Sequence, residues 1–442
     1  MNRLEELFKK IDDVPEEWFS QEKRKSNGSV EIVLKDCDKY EGMIDAWTKA
    51  LKWTQGLDDA LSVMLASVAS TGQMGDQLWI KLVGPPGCGK TTLSEAITTN
   101  RQYIFPKDTF TGLTSGYATA EDGKNMSMVD QLNGKTLLIN DGDTLLQASN
   151  LGEILSQLRA FYGGNIRAQY KNEMSYDFEG YRTTVILCGT SSLQKLDTSE
   201  LGERFLDCIV MEGIDLDLED QVVWSVAEKA RRDLNLSTED SRVDKQQSPE
   251  MIEAMARTGG YVGYLREKAG ELARGVETPH WALYQCTRLG KFVAYMRARP
   301  SKTQDESSER EFGARLTSQM VRLMTFLAVV LNRTTIDSEV LRRTTKVALD
   351  TSRGKVLNIC RYLLDAEEGR LTLRDLALLT GMEEGETKKL LKFLRAIGAL
   401  KVSSKKVNGV RGRSSKPRWF LASRFKKLCE EVLNFEGAEL DD

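Results

Sequence analysis

Histidine is almost missing from this chain: His280 is the only one in 442 residues. The seven cysteines (Cys37, Cys88, Cys188, Cys208, Cys286, Cys360 and Cys429) are scattered, with no CxxC pair. Together these scarcities exclude a zinc ribbon and argue against a disulfide framework. His280 and the tryptophans near it are therefore expected to be packing residues. Long apolar runs are missing too. No window approaches 18 uninterrupted apolar residues, and the opening MNRLEELFKKIDDVPEEWF is a charged amphipathic pattern without the apolar stretch of a secretory signal. The expectation is a cytoplasmic protein, of a bacterial or archaeal cell or of an infected host, with no membrane partner. Nor is there a large excess of one charge. The net charge is −3, so any nucleic-acid affinity must come from local patches.

The hydrophobic content, 40% over 442 residues, is enough for two to four domains. Residues 78–98, LWIKLVGPPGCGKTTLSEAIT, read as an apolar strand, a glycine-rich turn and a helix. Gly84, Gly89, Lys90 and Thr91 fit G-x-x-x-x-G-K-S/T. Glycines let successive backbone N–H groups curl around phosphate oxygens, the lysine reaches the β and γ phosphates, and the threonine supplies an oxygen to Mg²⁺. The stretch Gly84, Pro85, Pro86, Gly87, Cys88, Gly89, Lys90, Thr91 and Thr92 is thus the candidate cradle for ATP, with Mg²⁺ as its companion.

Three more short apolar runs follow: KTLLINDGD, TTVILCGTSS at 183–192, and RFLDCIVMEGID from Arg204. Strands buried on both faces lack polar alternation, and their C-terminal ends converge on the ligand edge of a parallel sheet. Asp141 and Thr190 fall at two such ends. Phosphate loop, acidic strand end, polar strand end and then Gly-Glu-Arg-Phe is the layout of the AAA+ class. The acidic end is unusual. In LLINDGDTLL, 137–146, Asn140 takes the metal-side aspartate position and Asp141 the catalytic glutamate position, with Asp143 a third candidate. An amide oxygen can orient a Mg²⁺-bound water, and the Asp141 carboxylate can polarise the attacking one. The reading is an active, slow ATPase with Thr91, Asn140 and Asp141 as metal-side residues and weakened Mg²⁺ dependence.

Further on, the chain resembles the minichromosome maintenance (MCM) helicases. ERFLDCIVMEGIDLDLED is similar to their Ser-Arg-Phe-Asp strand and acidic turn, in which the arginine reaches the nucleotide of the neighbouring subunit; Arg204 matches it. RLGKFVAYMRARP at 288–300 looks like the family's Leu-x-x-Tyr-Ile-x-Tyr-Ala-Arg. ARLTSQMVRL at 314–323 resembles its lid helix, with Arg315 on the sensor arginine, and VVLNRTTIDSEVLRRTTKVAL resembles the lid's turn and second helix. The resemblance begins near residue 45. It implies Lys90, Asp141, Arg204 and Arg315 as catalytic residues and a homo-oligomeric, hexameric ring. Three features depart from the family. Only about 45 helical, charged residues stand where cellular members carry an oligonucleotide-binding platform. The phosphate loop lacks the Gly-Asp-Pro-Gly form. Residues 237–287 look like an extra helical insert, in which Arg266 rivals Arg315 for the sensor role.

Between the acidic strand and TTVILCGTSS, the segments NIRAQY and MSYDFEG have strand character around a KNE tip. In the resembled family a hairpin here projects into the central channel, which makes Arg167, Tyr170 and Lys171 candidate nucleic-acid contacts. Near the C-terminus three amphipathic helical patterns precede ALKVSSKKVNGVRGRSSKPRWFLA, a winged-helix pattern. Lys405, Lys406, Arg411, Arg413, Lys416 and Arg418 make its wing basic, suited to a phosphate backbone. The expected organisation is an N-terminal helical segment (1–45), an AAA+ core (46–236), a helical insert (237–300), a helical lid (301–353), a winged helix (354–435) and an acidic tail (436–442). The function expected is an MCM-like ring that moves on or unwinds DNA. The alternatives are a helicase loader or replication initiator that uses ATP as a switch, or a nucleotide-gated scaffold in phage defence. Replication or defence proteins are the partners these readings imply.

Overall fold

The computed structural model describes residues 32–108, 128–169, 175–197, 204–211, 248–298, 312–403 and 416–434, with the isolated positions 223, 224, 227 and 231. Leu34–Ile214 and Glu250–Asp442 form one compact unit; Met1–Val33 and Asp215–Pro249 form another, of which few residues are described. In chain order the first unit runs α1 (Tyr40–Ala50), α2 (Gln55–Ser70), β1 (Trp79–Val83), α3 (Lys90–Thr98), β2 (Ile104–Lys107), α4 (Val129–Leu132), β3 (Thr136–Ile139), α5 (Leu151–Tyr162), β4 (Ile166–Gln169), β5 (Ser175–Phe178), β6 (Thr184–Gly189) and β7 (Phe205–Ile209). Helices α6 (Pro249–Gly275), α7 (His280–Arg297), α8 (Ala314–Val330) and α9 (Ser338–Thr351) follow. The chain then continues through α10 (Lys355–Asp365), β8 (Leu371–Thr372), α11 (Leu373–Thr380), α12 (Glu384–Ala396), β9 (Leu400–Ser403), β10 (Arg418–Leu421) and α13 (Ser423–Leu433).

The central sheet has five parallel strands in the order β2-β3-β6-β1-β7. Parallel neighbours need crossovers, so helices cover both faces. Trp79, Leu137, Ile139, Val185, Leu187 and Phe205 point to one face and pack with Ile154, Leu158 and Phe161 of α5. The alternate residues Ile80, Leu82, Leu138, Ile186, Leu206 and Cys208 are also buried and face the other side, where α2 and α3 lie. Because the strands are parallel, their C-termini share one edge and their N-termini the other. At the N-terminal edge the hydroxyls of Thr71, Thr136 and Thr184 satisfy one another at 2.6–3.0 Å.

Strand β7 closes one side of the sheet. Its outward backbone groups are met by side chains: Arg297 donates to Phe205 O at 2.9 Å, Thr351 Oγ1 accepts from Asp207 N at 2.9 Å, and Asp350 Oδ2 accepts from Ile209 N at 2.8 Å. Lys346 completes the row by donating to Ile209 O at 2.8 Å and to Asp350 Oδ2 at 2.7 Å. Burial raises the Asp350 carboxyl, and Lys346 opposes the rise. On the inner side, Lys81 and Asp207 face each other across the β1–β7 register as a buried ion pair at 2.9 Å. Removing either partner would leave an uncompensated buried charge.

Helices α6 and α7 are not an appendage. Tyr261 and Phe292 are fully buried, Trp47 Nε1 donates to Thr258 Oγ1 at 3.0 Å, and Asn100 Nδ2 donates to Gly259 O at 2.9 Å. The expected insert therefore supplies core to the same unit as the sheet. The expected boundary at residue 45 likewise falls inside α1. His280, by contrast, is exposed, and Trp281 is 39% exposed. The reason is helical phase: α7 buries Ala282, Gln285, Cys286, Leu289 and Val293, which leaves His280, Trp281 and Tyr284 on other faces. The packing expected of them does not occur.

At the C-terminal end, α10–α12 adjoin a three-stranded antiparallel sheet, β8-β10-β9. Thr372 and Asp375 form a capping box that starts α11, and Gly381 ends it at φ 64°. Helix α13 docks on α7 through Tyr295 and Phe425, ring centroids 4.5 Å apart, and through Arg288 and Glu431 at 3.0 Å.

Candidate nucleotide site

The phosphate loop runs from β1 into the first turn of α3. Gly87 and Gly89 have φ of 82° and 93°, conformations that side chains rarely adopt. Packing also demands glycine: a Cβ on Gly84 would lie 2.6 Å from Cys88 Sγ, and one on Gly89 would lie 2.8 Å from Leu57. Pro85, Pro86 and Gly87 form the exposed crest, Cys88 is buried beneath it, and Thr91 is exposed in the helix's first turn, with Thr92 half-buried beside it. Lys90 Nζ donates to Gly84 O and Pro85 O, both at 2.7 Å, and lies 3.6 Å from Cys88 Sγ. Its ammonium thus sits on the loop's own carbonyls, over amides that belong to a helix start and favour an anion.

Beside the loop lie the ends of β3 and β6. Gly84 N donates to Gly189 O at 3.2 Å, which ties the loop to β6. Thr190, next along, has its N–H held by Asp143 Oδ2 at 2.8 Å, while its Oγ1 accepts from Ser192 N at 3.2 Å. Asn140 turns the other way: its Nδ2 donates to Asp108 Oδ1 at 3.0 Å, on the β2 side. Asp141 is exposed, its carbonyl accepting from Thr144 Oγ1 at 2.6 Å. Since β6 stands between β3 and β1, Asp143 is the acid turned toward the phosphate loop, and Asn140 is turned away.

Two oxygens at this edge, Asn140 Oδ1 and Asp143 Oδ1, are buried without a hydrogen-bond partner among the described residues. Hard oxygen donors of this kind suit Mg²⁺, which takes few protein ligands and completes its shell with phosphate and water. Among the described residues no group of three or more His, Cys, Asp or Glu could hold a metal unaided. The donor set therefore fits an ion that arrives with its nucleotide.

The arginines gather elsewhere. Arg204 precedes β7, whose first residue pairs with Trp79, so it sits at the N-terminal edge, about 20 Å along β1 from the phosphate loop. Its guanidinium lies 5.4 Å from the centre of the Tyr162 ring. Gln319 Nε2 donates to Tyr162 Oη at 3.2 Å and to Arg204 O at 3.0 Å. Arg315, one turn earlier on α8, acts on the same ring. Burial pushes the Tyr162 hydroxyl up to about 12 and Asp76 adds to the rise, while the Gln319 bond and the charges of Arg315 and Arg204 oppose it. Arg266 lies at this edge too, but it donates to Thr71 O and, at 2.8 Å, to Gly134 O, with Tyr103 at 5.4 Å. Burial lowers its pKa. The fold uses Arg266 as a clamp.

The candidate nucleic-acid residues are only partly described. Strands β4 and β5 pair antiparallel, Arg167 opposite Asp177. Arg167 is ion-paired to Asp177 at 3.2 Å and to Glu179 at 3.0 Å, which raises its pKa. Tyr170 and Lys171 lie outside the described residues, as do Lys405, Lys406, Arg411 and Arg413. Arg418 is paired with Glu368, and Lys416 is exposed. Sequence reasoning missed Tyr162, Gln319 and Asp108. Only Gln319 left a signal, four residues after Arg315 and hence on the same helix face.

A glycine-rich loop between a parallel strand and a helix start, beside acidic and polar strand ends, defines a P-loop nucleotide-binding α/β protein. Residues 80–211 match the ATPase family associated with various cellular activities (AAA). The chain thus carries an AAA ATPase domain, which supports ATP hydrolysis as its activity. AAA ATPases typically use ATP with Mg²⁺ and commonly assemble into rings. A comparison with curated proteins finds no match. Among the described residues no helix is long and apolar enough to cross a membrane.

Proposed function

We propose that the protein is a cytoplasmic, ring-forming, MCM-like AAA+ motor that uses ATP to translocate on or unwind DNA. One observation carries the reading: Arg204 lies at the sheet edge opposite its own phosphate loop, with Arg315 acting on the same Tyr162, an arrangement that suits service to a neighbour's nucleotide. In this reading Lys90 leaves its carbonyls to hold the β and γ phosphates. Thr91 and the Asp143 carboxylate would hold Mg²⁺, whose charge would offset that of the phosphates, while Asn140 faces the β2 flank. Asp141 orients the attacking water and takes its proton. Thr190 reports on the γ phosphate, and a neighbour's Arg204 and Arg315 stabilise the transition-state charge. Helices α8 and α9 act as the lid, residues 354–435 as a winged helix, and the β4–β5 hairpin with Lys171 as the element that meets the strand in the channel.

A second reading, a loader or initiator for which ATP is a switch, is favoured by Asn140 in place of an acid and by the carboxylates that already occupy Arg167 and Arg418. Mixing Lys90→Ala with Arg204→Ala protein tests the proposed trans site. Activity should return at junctions that combine an intact phosphate loop with an intact arginine edge. No recovery at any ratio, despite demonstrated co-assembly, overturns the trans site; recovery without DNA-stimulated turnover favours the switch.

A further inference from the structure

Helix α7 has a side that its core packing leaves open. Trp281, Tyr284, Arg288 and Tyr295 are spaced by three, four and seven residues, which puts them on one stripe, away from the buried Ala282, Gln285, Leu289 and Val293. Helix α13 covers the C-terminal half of this stripe. Phe425 packs against Tyr295, ring centroids 4.5 Å apart, and Glu431 is ion-paired to Arg288 at 3.0 Å. Going from the first contact to the second, the chain runs forward along α13 and backward along α7, so the two helices are antiparallel. Beyond Glu431 the stripe is open to solvent. Tyr284, its ring centre 4.1 Å from the Arg288 guanidinium, is 57% exposed, and Trp281 is 39% exposed.

We infer that residues 435–442, FEGAELDD, occupy this open stripe, with Phe435 against Tyr284 and Leu440 beside Trp281. They follow α13 directly and lie outside the described residues. Direction, reach and chemistry select them over a foreign partner. The antiparallel run of α13 leads the chain toward the N-terminal end of α7, and the Glu431–Arg288 register, carried four residues further, sets Phe435 opposite Tyr284. Trp281 is about 10 Å beyond Arg288, while eight residues span about 12 Å as a helix and at most about 29 Å extended. Phe435 and Leu440 supply apolar surface for the two aromatic rings. Glu436, Glu439, Asp441 and Asp442 have no Lys or Arg among them. They arrive at a helix start that has no side-chain cap on Pro279 and no acid in its first turn, where carboxylates are favoured. Seated there, the segment lengthens the α7–α13 interface and ties α13 more firmly to the core.

The test places the photo-crosslinker benzoylphenylalanine at position 435 of the full chain and maps the products by mass spectrometry, in a mixture of ¹⁵N-labelled and unlabelled copies. Cross-links to residues 280–288 within one copy are expected. Hydrogen exchange gives a second readout. Phe435→Ser/Leu440→Ser should speed exchange in 280–288 at least about fivefold and leave 289–297 unchanged, while Phe435→Leu should keep most of the protection. Cross-links that join labelled to unlabelled copies overturn the inference in favour of a second copy as occupant. Cross-links confined to other segments, or a serine variant with wild-type exchange in 280–288, also overturn it, the stripe then being left for a partner of other chemistry.

Discussion

The two edges of the central sheet are built for different work. At the C-terminal edge, glycines, backbone amides and unpartnered oxygens surround a space in which an anion and its cation would sit; Lys90, for now, rests on carbonyls. At the N-terminal edge arginines lie on aromatic rings, Arg204 over Tyr162 and Arg266 over Tyr103, and Gln319 joins the Tyr162 hydroxyl to the Arg204 backbone carbonyl. In the proposed trans arrangement, one edge receives and the other delivers. Arg204 would then exchange the Tyr162 ring for a neighbour's nucleotide.

The largest effect should come from the delivering edge. Arg204→Ala is expected to lower turnover roughly 10³-fold with ATP binding retained, as for a lost arginine finger. A parallel loss of ATP affinity would place Arg204 at its own nucleotide and collapse the distinction. Lys90→Ala should lower turnover roughly 10²- to 10³-fold, the cost of removing one preorganised cation from the transferring group. Undiminished turnover in that variant would remove the ATPase assignment itself.

The receiving edge can be resolved further. Asp141→Asn should lower hydrolysis roughly 10²-fold at saturating Mg²⁺, as for a lost general base. Asp143→Asn should instead raise the Mg²⁺ concentration needed for half-maximal rate, and Asn140→Asp should keep or lower it. If Asp143→Asn stops hydrolysis at saturating Mg²⁺ and Asp141→Asn does not, the two roles are exchanged. Gln319→Leu, behind the delivering edge, should lower turnover about tenfold and leave ATP affinity unchanged, and the unmet Tyr162 hydroxyl and Arg204 carbonyl should destabilise the fold by about 1–3 kcal/mol. A changed ATP affinity would contradict a purely positional role. The smallest effect belongs to Arg167→Gln. Its guanidinium is already matched by Asp177 and Glu179, so the DNA salt slope should not move.

Much of the receiving edge was legible in the sequence, because a phosphate loop is a local device. Gly84, Gly89 and Lys90 are neighbours in sequence as in space, and the order of apolar runs predicted the parallel sheet. The direction of a side chain at a strand end is not local. Asn140 and Asp143 differ by three residues, and which one faces β1 is decided by Asp108 on one flank and Thr190 on the other. The delivering edge joins residues from α5, α8 and the start of β7, more than 150 residues apart; only the MCM resemblance marked its arginines, and nothing marked Tyr162. That 249–297 would pack into the same core as the sheet was not legible, because amphipathic helices look alike whether they flank a core or complete one.

The side chains that meet β7 have a consequence for assembly and for safety. An open sheet margin invites another strand to add to it, the route to domain swapping and fibrils. Here Arg297, Thr351, Asp350 and Lys346 saturate one margin, and at the other β2 presents Pro106, which has no N–H to offer. Strand addition is opposed at both margins of this sheet. A ring of the kind proposed above would then form through side chains and helix surfaces, contacts that can loosen and re-form with each nucleotide cycle.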